Sequence, residues 1–362
     1  MAQGSRWITP AEMEPTQRVW MNFPRAGTVN WPAMWQLSSA RRAWTRLAET
    51  LNQYVPVTLL VDPDDQQTVT SYVSSDIDTV IVPFNNALLR RTGFSVVVSR
   101  HPQPNTGRRP RRVLGMMDFT FNGFGRLAGV DYGLDDTMPG TLMDLLPDTN
   151  GFSQRIFSMM VSEGGSWVTD GNGTAIASEA LLTDQQRNPG WSTNAVEREL
   201  RRNVGIDHFI WLPNGLNRGA APAGWGGYLD QLVAFHSPGR VLLHTQPDPS
   251  HPDHAVTNQT REILSAATDA QGNALEIIDV PAPQTHSDMR GPVNWSYLDY
   301  LMLNDVIIVP RFVDPNDSTA HELLGKLFPD HRIVPFMAQD LFDHGVSIRA
   351  ITLPQPQAST RR

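Results

Sequence analysis

Gly227-Tyr228-Leu229-Asp230-Gln231-Leu232 decides how this chain is read, taken together with Ser347-Ile348-Arg349-Ala350-Ile351-Thr352 near the C-terminus. Working outward from them, short apolar runs alternate with single helical patterns. Arg18-Val19-Trp20-Met21-Asn22-Phe23-Pro24 reads as a buried strand ended by proline, and Val55 to Val61 as a continuous apolar strand. Between them, from about Met34 to Leu51, apolar and small residues recur at helical spacing. Thr79 to Pro83 and Ser95 to Val98 are further strands, and Asn85 to Gly93 is the loop between them. The alternation recurs over Gly151–Ser166, Trp191–Leu212, Gln231–Leu243 and Trp295–Pro310, with helices expected at Asn194–Leu200 and from Thr260 to Ala267. Short strands with one helix per unit and no long linker predict one α/β domain of mixed sheets.

The chain has 362 residues, 40% of them hydrophobic, and contains no apolar run long enough to span a bilayer. Its start shows no charged-then-apolar leader, so cytoplasmic residence and no membrane partner are expected. A net charge of -8 argues against a general nucleic-acid binder. The basic run Arg108-Arg109-Pro110-Arg111-Arg112 reads as a solvated hairpin loop. Cysteine is absent, which removes disulfides, thiolate metal sites and any thiol nucleophile together. His251-Pro252-Asp253-His254 has a spacing that invites a metal, but the proline and the loop composition before it argue against helical presentation, and no metal or cofactor is expected.

Several segments in order resemble the agmatine deiminase and bacterial peptidyl-arginine deiminase family. They include Trp20-Met21-Asn22-Phe23-Pro24, Phe121-Asn122-Gly123-Phe124-Gly125, Glu163-Gly164-Gly165-Ser166, Ile210-Trp211-Leu212-Pro213 and Asp314-Pro315-Asn316-Asp317. The resemblance implies a five-bladed α/β propeller of ββαβ units, a single domain over residues 1–356 with 357–362 as a tail, and an active site on the central axis. It leaves a homodimer open.

Removing ammonia from a guanidinium needs a nucleophile, a proton donor for the leaving amine, and carboxylates that hold the planar cation. Set against the family's motifs, the nucleophile position is Ala350, the acid/base histidine is Tyr228, and the residue before the nucleophile is Arg349. A guanidinium-binding aspartate is replaced by Arg91, the family's tryptophan upstream of it by Leu88, and an acidic pair by Asn85-Asn86. Asp230, Glu163, Gly164, Gly165 and Asn122 match the pattern. Two bare positive charges about 4 Å apart repel by about 4 kcal/mol at an effective dielectric near 20, so Arg91 is expected to reject an agmatine-like cation.

These replacements predict a divergent member that does not hydrolyse guanidines but acts on a small non-cationic metabolite by acid/base chemistry. Tyr228 is then the general acid and Asp230 or Glu163 the base. Arg91 is a handle for an anionic or carbonyl-bearing ligand rather than a salt-bridged plug, with Trp225, Asn122, Arg349, Ser347 and Leu88 as further ligand contacts. The alternative is a protein that only binds a metabolite or a partner subunit. For Tyr228 the plainer reading is a packed ring whose hydroxyl bonds Asp230.

Overall fold

In a computed structural model, described over residues 6–28, 31, 33–92, 94–101, 111–146, 151–217, 226–285, 287–288 and 291–358, one connection pattern repeats. Two strands pair antiparallel, and a third joins the second in parallel after a helical crossover. Ser95–His101 and Arg111–Thr120 form such a hairpin, the helix Gly133–Leu145 crosses over, and Phe152–Val161 adds in parallel. Trp167–Thr169, Thr174–Ser178 and His208–Leu212 repeat it around the helix Thr193–Val204. Val233–Ser237, Arg240–Thr245 and Glu276–Pro281 do so around Asp253–Ala266, and Leu301–Leu303, Val306–Arg311 and Arg332–Met337 around Asp317–Leu327. A parallel neighbour cannot be reached by a tight turn, which is why every unit carries a helix.

The remaining sheet joins the two ends of the chain. Leu353–Pro356 pairs antiparallel with Thr16–Asn22, and Val57–Val61 and Asp78–Ile81 follow in parallel. All five residues of Val57–Val61 are buried, as in a strand covered on both faces, and Thr58, its one polar member, accepts from Arg18 Nη1 at 2.8 Å. The helix Met34–Asn52 buries Leu37, Ala40, Trp44, Leu47, Ala48 and Leu51, spaced by three and four, against the core. A two-stranded ribbon, Ser287–Asp288 with Gly291–Pro292, completes the sheets among the described residues. No described helix is long and apolar enough to cross a membrane.

The helices and strands fall close to where the residue pattern puts them, with three differences. Asn85 to Gly93, read as a loop, carries the short helix Leu89–Thr92. The helix expected from Thr260 begins at Asp253, because Pro252 supplies a permitted start and Asp253 sits in the first turn, where a negative charge meets the exposed amides. His254 therefore lies on a helix after all. Arg111 and Arg112 open a strand rather than ending a loop, and the rest of that basic run lies outside the described residues.

Candidate active site

Five segments, all loops or short helical turns between the sheets, are sewn together by backbone and side-chain bonds. Gly164 N donates to Arg90 O at 3.1 Å and Leu229 N to Gly165 O at 2.8 Å. Ser296 Oγ donates to Gln231 O at 2.7 Å, and Ile348 N to Asp299 Oδ2 at 2.6 Å. The two glycines are demanded by this closeness. A Cβ on Gly164 would run into the Arg90 carbonyl, and Gly165 adopts φ +85° with its missing Cβ aimed at Arg91 Nη1 and 2.8 Å from the Asp230 carboxyl. The Glu-Gly-Gly run thus places Glu163 while letting two other segments touch its backbone.

Charged groups meet at this junction with almost no solvent, at exposures of 6% for Arg91, 3% for Glu163 and 0% for Asp230. Charges so buried must be paired. Arg91 donates Nη1 to Asp230 Oδ2 at 2.8 Å and Nη2 to Oδ1 at 2.9 Å, and Nη1 also bonds the Gly164 carbonyl. Its guanidinium carbon lies 3.9 Å from the centroid of the Tyr228 ring. Burial works against the charge on Arg91, yet Asp230 outweighs it and holds the guanidinium above its usual range. Glu163 takes a second guanidinium, with Arg187 Nε on Oε1 at 2.7 Å and Nη2 on Oε2 at 3.3 Å. The Tyr228 hydroxyl donates to Glu163 Oε2.

This arrangement corrects several expectations. Arg91 is a salt-bridged plug on Asp230 and not an open handle. Tyr228 bonds Glu163, not Asp230, because Arg91 occupies both oxygens of the aspartate. As a general acid Tyr228 is poorly placed: burial first, then Glu163, push its pKa well above the ordinary range, so it keeps its proton.

A cavity of about 50 Å³ opens beside the plug, with Leu88, Arg91, Tyr228, Phe342, Ser347 and Ala350 on its walls. At that volume it has room for a few waters at most and is too small for an agmatine-sized molecule while Arg91 stays in place. Leu88, Ser347 and Ala350 are thus where the sequence puts them. Ser347 also caps the short helix Ile348–Ile351, its Oγ accepting from Ala350 N at 3.2 Å. Arg349 is not: one residue along that helix turns the side chain away, and it lines a different cavity. Asn122 is not among the residues on the cavity wall. Its side chain accepts from Gly125 N and donates to Gln186 O at 2.9 Å, so it props the loop that carries Arg187. Trp225 lies outside the described residues.

Two members of the junction had no signal in the sequence. Arg187 comes from an ordinary polar loop 24 residues after Glu163. Asp299, fully buried, accepts from Ile348 N and Arg349 N and is pushed up to about 7, by burial first and then by Asp230. Away from the junction, Asp135 holds Asn85 N and Asn86 N and is likewise pushed to about 7 by burial. His251 Nδ1 accepts from Asp253 N at 3.1 Å and His254 Nδ1 pairs with Gln246 O at 2.8 Å. Among the described residues no group of three or more His, Asp, Glu or Cys side chains is placed to hold a metal ion.

The family model for Porphyromonas-type peptidyl-arginine deiminase matches residues 8–356. A Streptomyces avermitilis protein provisionally named agmatine deiminase is 32% identical, over 96% of each chain. The agmatine deiminase of Ectopseudomonas mendocina is 30% identical over 96% of this chain and 95% of its own. The solved agmatine deiminase of Enterococcus faecalis superposes with a TM-score of 0.84 at 25% identity, covering 97% of this chain and 96% of that one.

These relatives overturn the expectation of a protein that is no deiminase, whether a repurposed catalyst or a protein that only binds. Relatives matched over 96–97% of this chain carry the name agmatine deiminase. The physical premise behind that expectation fails as well. Repulsion of a cation by Arg91 assumed a bare charge, whereas Asp230 neutralises it in contact and Glu163 with Arg187 forms a second neutral pair.

Proposed function

The chain belongs to the Porphyromonas-type peptidyl-arginine deiminase family, and we propose from that membership that its central junction takes a guanidine of the agmatine class and hydrolyses it. The observation that carries the reading is Asp230 gripping a planar guanidinium by both oxygens while Tyr228 covers its face. That guanidinium belongs to the chain itself, and a ligand of the same shape and charge would exchange with it at no net change of charge. Because the chain has no cysteine, water is the attacking group. It adds to the guanidinium carbon, one terminal C–N bond breaks, and the products are a substituted urea and ammonium.

Incubation with agmatine, read by ammonia release and by thermal shift, tests this. Ammonia above the protein-free rate supports the proposal. A stabilised protein with no ammonia keeps guanidine binding and removes hydrolysis, and the absence of both removes the whole reading.

The same membership supports the five ββαβ-type sheets as blades of one ring around this junction, with residues 1–356 as a single domain and 357–362 as a tail. A homodimer is part of the proposal too. Phe157 and Met159, 56% and 79% exposed on the strand Phe152–Val161, give an apolar strip that a second copy would cover. Light scattering showing a monomer at working concentrations would remove it.

A further inference from the structure

A second cavity, of about 140 Å³, shares no wall residue with the one beside Ala350. Neighbours in sequence divide between the two: Arg91 and Ala350 face the first, Arg90 and Arg349 the second. A volume near 150 Å³ accommodates a molecule the size of benzene. Trp167, Val168 and Met302 give this cavity an apolar side.

Its polar side carries an excess of positive charge. Arg90 Nη2 lies 3.2 Å from Glu12 Oε1, and Arg349 Nη2 bonds the same oxygen, so two guanidiniums share one carboxylate. The other nearby acids are committed. Glu163 holds Arg187 and Tyr228, Glu14 accepts from Arg112 at 2.8 Å, and Asp299 is occupied by two backbone amides and is pushed toward neutrality. Arg349 is 1% exposed, and its Nε has no partner among the described residues. Its Nη1 reaches only the Leu298 carbonyl, at 3.4 Å. Thr9 also lines the cavity, and its buried Oγ1 has no partner among the described residues. A buried donor left unsatisfied costs about 1–3 kcal/mol, more when charged, but both atoms are sealed from water, so what the cavity presents is the charge of the two guanidiniums. Consistently, burial holds the Arg349 guanidinium down at about 10.

We propose that this cavity binds a small organic carboxylate, its charge set against the Arg90–Arg349 pair and its apolar body lying against Trp167, Val168 and Met302. The ligand's charge balances the guanidinium that Glu12 alone leaves over. A carboxylate with an apolar body matches both the positive side and the apolar wall.

Calorimetric titration of the full chain with benzoate, and with benzamide as its neutral isostere, tests the site without reference to guanidine hydrolysis. Benzoate is expected to bind at least tenfold more tightly than benzamide, and equal affinity would overturn the proposal. Arg349→Gln should weaken benzoate tenfold or more. Glu12→Gln should strengthen it several-fold, since it removes the competing carboxylate, and damage to the fold cannot mimic a gain. A loss or no change in Glu12→Gln overturns the site even where Arg349→Gln fails to fold.

Discussion

Arg91 and Asp230 meet as a two-pronged ion pair, at 2.8 and 2.9 Å, with both side chains sealed from water. Removing one partner of such a pair leaves a buried uncompensated charge, a loss of about 3–5 kcal/mol. Arg91→Ala should therefore fall by that amount in urea denaturation. Agmatine should then restore part of it, about 2.7 kcal/mol at a hundred times its dissociation constant, and should stabilise the wild type far less at the same concentration. Equal stabilisation of both proteins would show that ligand and Arg91 do not compete for Asp230.

Tyr228→Phe deletes a hydroxyl that donates to the Glu163 carboxylate while keeping the ring under Arg91. A hydrogen bond to a charged group contributes about 1.5–3 kcal/mol. The variant should lose that much in urea denaturation. An unchanged midpoint would mean the hydroxyl makes no bond of consequence.

Gly165→Ala combines a left-handed backbone, φ +85°, with a methyl group directed at the Arg91–Asp230 pair. Left-handed strain of roughly 1–2 kcal/mol and overpacking of about 1–3 kcal/mol add in the same direction. Gly190→Ala, at φ +79° with open space around it, should show the strain alone. Comparable losses in the two variants would place no crowding at Gly165.

Asp299 makes stability depend on pH with a sign opposite to that of a salt-bridged acid. Its folded carboxyl sits at about 7, above the ordinary value of 3.8, so between those values the folded protein holds a proton that the unfolded chain has released. That contribution is fully present below about pH 4 and is lost as pH rises through about 7. At about 1.36 kcal/mol per pH unit, it amounts to about 4 kcal/mol across the interval. Asp299→Asn should remove this slope, so the wild type loses stability relative to the variant from pH 4 to 8. Parallel curves would put the carboxyl in its ordinary range.

Much of the fold was legible because burial leaves a local trace. Val57–Val61 is apolar at every position but Thr58 since it is covered on both faces, and Met34–Asn52 carries its buried residues at helical spacing. The site was legible only in part. Glu163, Asp230 and the two glycines were found through their match to the motifs of the deiminase family, and the structure supplies the reason at Gly165, where close contact leaves no room for a Cβ. Arg187 and Asp299 were not found, since an arginine or aspartate destined for a buried pair looks in sequence like any other surface charge.

Direction of side chains and partnership of charges are the things the chain did not spell out. Arg349 adjoins Ala350 yet faces another cavity, because successive residues on a helical turn point about 100° apart. Reading residue types alone established the α/β sheets and the lack of a thiol, and the resemblance to the deiminase family picked out the segments that gather at the junction. Whether Arg91 meets a ligand as a free cation or as half of a neutral pair was decided by Asp230, 139 residues away, since electrostatic preference belongs to a cluster in space and not to any one position along the chain.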